Sequence, residues 1–376
     1  MKGKLLLLVL TLLASCSRGT KNELVCIELE NGYPKKEILL QDVWKVEYVP
    51  LETDSLFLVA SDKPWYVGEK WVGFVDNKTG NLLFFDAKTG KKSFCIARKG
   101  TGPEEYKGVG GITMDEDRGE VFAWSIWDGA FLVYDMQGRF LRKLPLYGMK
   151  KGEFVSLFSV VDADETRLIC SGSYMEGGYT LHYFLNKITG QAELIDSIPK
   201  ERCVSPYIVK EMDGAYYSIG PNITSVVECQ DGWMYAEHSN DTIFRIAKDG
   251  GMTPLVARLP KVGDSNPVRI LRYDAETRDW LFLSSVEMTY DFEKKEGLNL
   301  KQYGVRVLDG SIFEVKLVNA DYPESECYAS TMNCLYLGAD GLVEALDAGL
   351  LKGELEKVTQ QLDMDDNGVL VKLVRK

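Results

Sequence analysis

A strand-turn-strand phrase that ends in glycine recurs along this chain of 376 residues. It reads Phe-Phe-Asp-Ala-Lys-Thr-Gly at residues 84–90, and looser copies end at Gly138, Gly190, Gly250 and Gly310. Successive glycines of the series are 48, 52, 60 and 60 residues apart. A strand-rich unit that returns every ~40–60 residues is typical of a β-propeller, in which each copy forms one blade. The repeat therefore predicts one closed ring, whereas length alone would suggest two or three domains.

The segments outside the repeats predict how the ring closes. An alternating strand pattern covers residues 44–49, and a second strand pattern covers residues 369–374 near the chain end. We expect these two strands to pair in one blade. Residues 350–362 carry apolar side chains at three- and four-residue spacing, which predicts a short amphipathic helix. A partial sixth unit is predicted as two strands, at residues 334–337 and 342–345.

The expected fold is therefore an all-β, six-bladed antiparallel β-propeller with a short C-terminal helix and closure by the terminal strands. Asp or Asn before glycine supplies the turn chemistry of each hairpin, because glycine adopts a positive φ without strain. Seven cysteines follow Cys16 without a CxxC pair, so the sequence predicts no disulfide framework.

Residues 1–16 have the pattern of a targeting segment. Two lysines precede an apolar run at residues 5–13, which is too short to span a bilayer as a helix. The segment ends in Leu-Ala-Ser-Cys, which resembles the bacterial lipobox and implies a lipidated Cys16. Ser17 follows the cysteine, and by resemblance to lipoprotein sorting signals this implies the outer membrane. An ordinary secretory leader that is cleaved nearby is the alternative.

This interpretation divides the chain into three parts. Residues 1–16 form the lipoprotein signal peptide with Cys16, residues 17–23 form a polar tether, and residues 24–376 form a single propeller domain. Attachment through more than one acyl chain would hold the protein firmly at the membrane.

The charge of the chain restricts its partners. The formal net charge is −12, and removal of the leader with its two lysines leaves −14. Binding to nucleic acid or to a bare anionic membrane surface needs dense positive charge, so both are disfavoured. The expected partners are the membrane through the lipid anchor and a glycan, a peptide or an envelope protein, with no nucleic acid.

Four segments occur in a fixed order over most of the chain. They are YVPLET at residues 48–53, GTGPEEY at 100–106, NDTIF at 240–244 and DDNGVLV at 365–371. These segments resemble landmarks of the 6-bladed β-propeller lipoprotein family, which has TolB/NHL-like propellers. Glu104 stands where that family often has Gly, and Gly368 stands where it often has Pro. The resemblance implies architecture and location, and it implies no activity.

Two loops offer candidate binding residues. The GTGPEEY loop is rich in glycine but lacks the Lys-Ser/Thr of a phosphate loop, and a basic pair beside it could face the mouth of the ring. An aromatic side chain in the loop at residues 125–129 is placed to stack on a sugar. For both loops the alternative is a structural role, as an inter-blade connection or as blade core. The candidate binding residues are Arg98, Lys99, Glu105, Tyr106 and Trp127.

No cofactor, metal site or catalytic residue is predicted. The stretch Asp363–Gly368 matches the first half of a calcium loop, but Val374 takes the place of its final Glu. Calcium is possible there but not supported by a complete motif, and a helix-to-strand turn is favoured. His182 and His238 are the only histidines, so a zinc site of several His is excluded. We expect each to lie on the surface or between blades, and no G-x-S-x-G nucleophile elbow is present.

These patterns favour a non-catalytic ligand- or partner-binding propeller lipoprotein of the bacterial outer envelope, facing the periplasm or the cell surface. The alternative is a metal-dependent propeller enzyme, lactonase-like or acting on carbohydrate, with its site at the mouth of the central channel. Such a site needs several Asp, Asn or Glu side chains that converge on the axis.

Overall fold

The computed structural model describes residues 24–146, 155–174, 179–221, 223–229, 231–327 and 333–376. Six antiparallel sheets form the blades of a propeller, so the predicted fold class is confirmed. The predicted leader, Cys16 and the tether lie outside the described residues.

The N-terminal segment passes around the outside of the ring before the first blade begins. It contains β1 (Val25–Glu28), β2 (Lys35–Leu39), the helical turn α1 (Leu40–Val43) and β3 (Trp44–Pro50).

Blades 1 to 3 are four-stranded antiparallel sheets in which the strands follow one another from the axis outward. Blade 1 contains β4 (Tyr66–Val67), β5 (Trp71–Val75), β6 (Leu82–Asp86) and β7 (Lys92–Ile96). Blade 2 contains β8 (Val109–Asp115), β9 (Glu120–Ser125), β10 (Ala130–Asp135) and β11 (Phe140–Pro145). Blade 3 contains β12 (Val155–Asp162), β13 (Arg167–Tyr174), β14 (Tyr179–Asn186) and β15 (Ala192–Ile198).

Blades 4 to 6 carry the insertions of the fold. The connection from blade 3 to blade 4 holds a 3-10 turn (Lys200–Arg202) and a separate hairpin, β16 (Ile208–Met212) and β17 (Ala215–Ile219). Blade 4 contains β18 (Val226–Cys229), β19 (Gly232–Tyr235), β20 (Thr242–Ile246) and β21 (Met252–Leu259), and a 3-10 turn (Val262–Asp264) follows it. Blade 5 contains β22 (Arg269–Glu276), β23 (Trp280–Glu287), an inserted hairpin of β24 (Tyr290–Asp291) and β25 (Glu296–Gly297), β26 (Leu300–Arg306), β27 (Ile312–Asn319) and β28 (Tyr322–Cys327). Blade 6 contains β29 (Cys334–Leu337), α2 (Ala339–Asp347), α3 (Gly353–Thr359) and β30 (Val369–Arg375), completed by β3.

The repeated glycine turn does more than reverse the chain. Gly90 has a φ of +69°, and a side chain there would meet the carbonyl oxygen of Pro50 in blade 6 at 2.0 Å. The Gly90 carbonyl accepts a hydrogen bond from the Glu52 amide at 2.8 Å. Gly138 and Gly190 likewise adopt positive φ and lie against the outer strand of the preceding blade. Glycine is needed at these three turns for its backbone conformation, and at Gly90 it is needed also for the close approach of the neighbouring blade.

The terminal strands close the ring as predicted. β3 pairs with β30 in antiparallel register from Trp44 opposite Arg375 to Pro50 opposite Val369. The sequence did not predict the two strands before β3. β1 adds in parallel to the outer strand of blade 4, and β2 adds in parallel to the outer strand of blade 5. The N-terminal segment therefore covers the edges of two blades and then completes a third.

The predicted strand at residues 342–345 is wrong, because these residues lie inside α2. Leu342 and Ala345 are spaced for one face of a helix, and both are buried in a cluster with Leu355 of α3 and Val369 of β30. The predicted helix at residues 350–362 is present in shorter form as α3. Within the described part of the chain, no helix is long and apolar enough to cross a membrane.

Candidate functional site

A cavity of about 1700 Å³ follows the propeller axis. All six blades contribute to its wall, mainly through their innermost strands β4, β8, β12, β18, β22 and β29 and the turns after them. The side chains that line it include carboxylates, lysines and arginines. An open channel of this size with polar groups on its wall can hold a small ligand or a short segment of a chain.

A buried lysine bridges two blades at this wall. Lys187 follows β14 of blade 3, and its Nζ lies 2.5 Å from Asp115 Oδ2 of blade 2 and 2.5 Å from Asp162 Oδ1 of blade 3. The Lys187 side chain is 1% exposed, whereas that of Asp162 is 30% exposed. Burial raises the pKa of the Asp162 carboxyl to about 6, against the opposing effect of Lys187. This ionic bridge fixes one side of the channel and places a readily protonated carboxyl on it.

The opposite side of the channel carries cationic side chains. Lys372 of β30 donates from Nζ to the carbonyl oxygen of Ala87 at 2.8 Å, and Arg375 lies 3.5 Å from a carboxylate oxygen of Glu276. Arg272 of β22 lies 3.2 Å from Asp274, whose pKa burial raises to about 6. The channel therefore presents positive groups from blades 5 and 6.

Two glutamates line the same channel from opposite blades. Glu69 follows β4 in blade 1, and Glu228 lies on β18 in blade 4. Burial between the channel walls raises the pKa of the Glu228 carboxyl, and the negative charge of Glu69 adds to this rise. Like charges that interact across a cavity favour a ligand that brings positive or hydrogen-bond-donating groups.

The five residues predicted from the sequence lie together, but none of them lines the channel. Arg98 donates from Nε to the carbonyl oxygen of Gly138 at 2.8 Å, and Lys99 forms a backbone bridge with Tyr106. The Glu105 carboxylate accepts a hydrogen bond from the Gly102 amide at 2.9 Å. These contacts shape the loop between blades 1 and 2.

Tyr106 and Trp127 are placed differently from each other. The Tyr106 ring is fully buried, and its hydroxyl lies 3.0 Å from the carbonyl oxygens of Gly80 and Ile96. It therefore stabilises the loop from inside the blade. Trp127 is 71% exposed at the turn between β9 and β10, close to Gly108 at the end of the same loop. Of the two aromatic candidates, only Trp127 presents a ring surface to solvent.

Trp127 shares one face of the ring with both inserted hairpins. Neighbouring strands of a blade run in opposite directions, so the loops between blades and the loops between second and third strands open on the same face. β16 and β17 lie in an inter-blade loop, and β24 and β25 lie in a second-to-third strand loop. The two hairpins meet where Lys210 Nζ approaches a carboxylate oxygen of Glu293 at 3.9 Å. Tyr207 and Gly220, which flank the first hairpin, line the channel.

Both histidines converge on one carboxylate. His182 Nε2 lies 3.1 Å from Glu237 Oε2, and His238 Nδ1 lies 2.9 Å from Glu237 Oε1. His182 Nδ1 also lies 2.7 Å from the hydroxyl of Ser171. The interactions with the two histidines hold the pKa of Glu237 well below its usual range, although burial opposes this. Both histidines are buried between blades 3 and 4. The sequence left open a surface position or a position between blades, and the structure shows the second.

The Ser171–His182–Glu237 arrangement has the order of a hydrolytic triad but lacks access. Ser171 and His182 are each 0% exposed, and Glu237 is 3% exposed. A nucleophilic serine must reach a substrate carbonyl. The arrangement as it stands stabilises the junction between two blades.

The calcium-like sequence at residues 363–368 forms the predicted helix-to-strand turn. Asn367 is 3% exposed and donates from Nδ2 to the carbonyl oxygens of Glu52 and Phe57. Its Oδ1 accepts the amide of Val59 at 2.8 Å, so the side chain is engaged in closing the ring. Among the residues that the structure describes, no group of three or more His, Cys, Asp or Glu could hold a metal ion.

The sequence prediction missed the channel residues. Lys187 follows Asn186 in the third copy of the glycine turn, at the place that Ala87 holds in the first copy. The local signal for this residue is that a lysine occupies a turn position that is buried in both copies. Its two partners come from strands 72 and 25 residues away, and no sequence pattern links them to it.

Solved structures that are similar to this chain include two Bacteroides proteins. A protein of Bacteroides fragilis that is described as exported aligns over 94% of this chain and 100% of its own, with 14% identity and a TM-score of 0.58. A member of the duf4221 family from Bacteroides vulgatus aligns over 88% of this chain and 96% of its own, with 11% identity and a TM-score of 0.46. No curated protein matches the chain. A family profile matches residues 24–258, and the chain therefore belongs to the family described as "Domain of unknown function (DUF4934)".

Proposed function

We propose that this protein is a non-catalytic binding propeller of the bacterial envelope, and that its ligand enters the central channel. The observation that carries the proposal is the cavity of about 1700 Å³ to which all six blades contribute charged side chains. Propellers commonly place their sites where the blades converge on the axis, because loops from many blades meet there.

The chemistry of the wall restricts the ligand. Carboxylates of Glu69 and Glu228 face cationic groups of Lys372 and Arg375 across one space. A ligand with hydrogen-bond donors and acceptors along its length, such as a glycan or a peptide, matches a wall of mixed charge. A purely apolar ligand would leave these groups desolvated without partners, which is costly.

Location in the envelope is part of the proposal. It is supported by the leader pattern that ends at Cys16 and by the description of the Bacteroides fragilis protein as exported. Attachment to the outer membrane through a lipid on Cys16 is the specific form that we propose.

The proposal is tested by a thermal-shift screen of charged and neutral oligosaccharides and short peptides, followed by calorimetry on each compound that raises the melting temperature. The channel variants Glu69→Gln and Glu228→Gln should weaken binding, whereas Glu354→Gln, on the exposed surface of α3, should leave it unchanged. Binding that is insensitive to both channel variants would place the site elsewhere. Chemical turnover of a bound compound, lost in the channel variants, would overturn the non-catalytic assignment and favour the enzyme alternative.

A further inference from the structure

The inserted hairpin of β16 and β17 forms a sheet of its own beside the channel. The described part of the chain adds no third strand to this sheet, so both of its strands are edge strands. Four of the five residues of β17 are exposed, and so are three of the five residues of β16. Edge strands present unpaired backbone N–H and C=O groups that can pair with another chain. A two-stranded hairpin also gains stability from a third strand.

The turn of this hairpin determines which backbone groups point outward. Residues 213–214 have φ values of 53° and 77°, as in a two-residue type I′ turn, and Met212 lies opposite Ala215. The residues that flank such a turn exchange hydrogen bonds, and every second pair along the hairpin does the same. The backbone N–H and C=O groups of Tyr216 and Ser218 therefore point away from β16, toward the open edge of β17.

The two edges differ in charge. On β16 the outward backbone groups belong to Val209 and Glu211, and this strand carries the charged pair Lys210 and Glu211. Charged side chains on an edge strand discourage pairing with another strand. β17 reads Ala-Tyr-Tyr-Ser-Ile and carries no charge. Its Tyr216 side chain is 75% exposed, and tyrosine is favoured in strands. β17 is therefore the edge that is open to a further strand.

Contacts at the base and on the β16 side hold the hairpin in position. The Ser205 hydroxyl donates to the Tyr207 carbonyl oxygen at 2.8 Å and accepts the Tyr207 amide at 3.1 Å. Lys210 Nζ lies 5.9 Å from the centroid of the Phe292 ring and 3.9 Å from a carboxylate oxygen of Glu293, both in the turn between β24 and β25. A strand that is already held in an extended conformation loses less entropy when it binds a partner.

We propose that the β17 edge binds an extended peptide segment of another protein as a third strand. A polypeptide carries alternating N–H and C=O groups at the spacing of the ladder and a glycan does not, so the edge favours a peptide. Tyr216 and Tyr217 lie on opposite faces of the hairpin, and apolar or β-branched side chains of the added strand pair well with both. This site is separate from the ligand in the channel, so the two proposals can fail independently.

A displayed library of random linear peptides, selected on the intact protein, supplies the probe. Calorimetry should show that a selected peptide binds Ser218→Pro at least about tenfold more weakly than wild type, because proline removes an outward N–H and blocks the edge. Glu211→Pro is the matched control, since it removes an outward N–H from the β16 edge and should leave the affinity unchanged. The channel variant Glu228→Gln should also bind the peptide as wild type does.

Amide hydrogen exchange of the wild-type protein locates the added strand directly. With the peptide bound, the amides of Tyr216 and Ser218 should exchange at least about tenfold more slowly, because each then donates to the third strand. The amides of Val209 and Glu211, on the other edge, should keep their rates. This comparison holds even if Ser218→Pro disturbs the hairpin. Unchanged exchange of the two β17 amides in the complex would overturn the proposal.

Three further results would also overturn it. The first is a library that yields no peptide binder. The second is a peptide whose binding depends on Glu228 and not on Ser218, which would place it in the channel and support the proposed function alone. The third is a dimer of the wild-type protein that Ser218→Pro abolishes, detected by analytical ultracentrifugation without peptide, because a second copy of this chain would then cover the edge.

Discussion

The side-chain amide of Asn367 donates a hydrogen bond to the backbone carbonyl of Glu52 at 2.8 Å. The two residues are 315 positions apart, and the contact joins the turn before the last strand to the segment that directly follows β3. It lies beside the pairing of β3 with β30, where the propeller closes. Closure therefore depends on side-chain contacts as well as on the backbone ladder.

Replacement of Asn367 by Ala should destabilise the ring by about 2–4 kcal/mol, because one buried amide makes three hydrogen bonds to backbone groups of residues 52–59. The midpoint of denaturant unfolding measures the effect. Asn77→Ala is a matched control, since Asn77 makes one exposed hydrogen bond to Ala60. Equal midpoints for the two variants would contradict a role of Asn367 in closure.

The N-terminal strand should contribute to the stability of blade 4. Ile27 of β1 is 0% exposed and packs in the core between blades 4 and 5, so Ile27→Ala should cost about 2–5 kcal/mol. Leu24→Ala provides the comparison, because Leu24 precedes β1 and is 51% exposed. Denaturant unfolding of both variants checks the prediction, and an unaffected Ile27→Ala protein would mean that β1 adds nothing to the blade.

Glu237 should give the protein stability that is lost in acid. Its pKa is lowered in the folded state, so its contribution is present above the usual glutamate range, about pH 4.5, and disappears as the pH falls below it. Glu237→Gln should cost about 3–5 kcal/mol at pH 7, since it removes the charged partner of His238. The difference in unfolding free energy between wild type and variant should shrink below about pH 4.5. A difference that stays constant from pH 7 to pH 3 would exclude the ionised carboxylate as its source.

Asp162 should have the opposite pH dependence. Its pKa is raised to about 6, so the folded protein keeps a proton that the unfolded chain releases, and stability falls as the pH rises from about 4 to 6. Comparison of wild type with Asp162→Asn should reveal about 1–2 kcal/mol of this dependence, reduced by the partial exposure of the carboxyl. Asp117→Asn, at the same channel but 96% exposed, should follow the wild-type profile. Parallel profiles for wild type and Asp162→Asn would show that the Asp162 pKa is not raised.

Membrane attachment should depend on Cys16 and on no other cysteine. Cys16→Ala should move the protein from the membrane fraction to the soluble fraction, because the acyl chains that anchor it would be absent. Cys26→Ala removes an exposed cysteine of β1 and should leave the distribution unchanged. Fractionation followed by immunoblotting measures both. Membrane association of Cys16→Ala at the wild-type level would remove the lipid anchor from the proposed function.

The local parts of the fold were predictable because they depend on short-range chemistry. The turn at Gly90 needs a positive φ, and Asp86, four positions before it, accepts two turn amides. Asn186 does the same before Gly190, so this short pattern is readable from the sequence. The prediction of a strand at residues 342–345 was wrong because a four-residue segment rich in apolar side chains fits the period of a strand as well as that of a helix. Packing against Leu355 and Val369 favours the helix.

The sequence by itself determined the repeat, the closure by terminal strands and the six-bladed ring, since each is encoded in turn residues and in the alternation of apolar side chains. Only the tertiary structure decided which charged groups meet. Asp115, Asp162 and Lys187 come together on the channel wall, and His182 and His238 meet on Glu237, because neighbouring blades bring distant strands within a few ångströms. A backbone periodicity fixes which face of a strand a residue occupies, whereas the partner across a blade junction depends on how the blades pack around the axis.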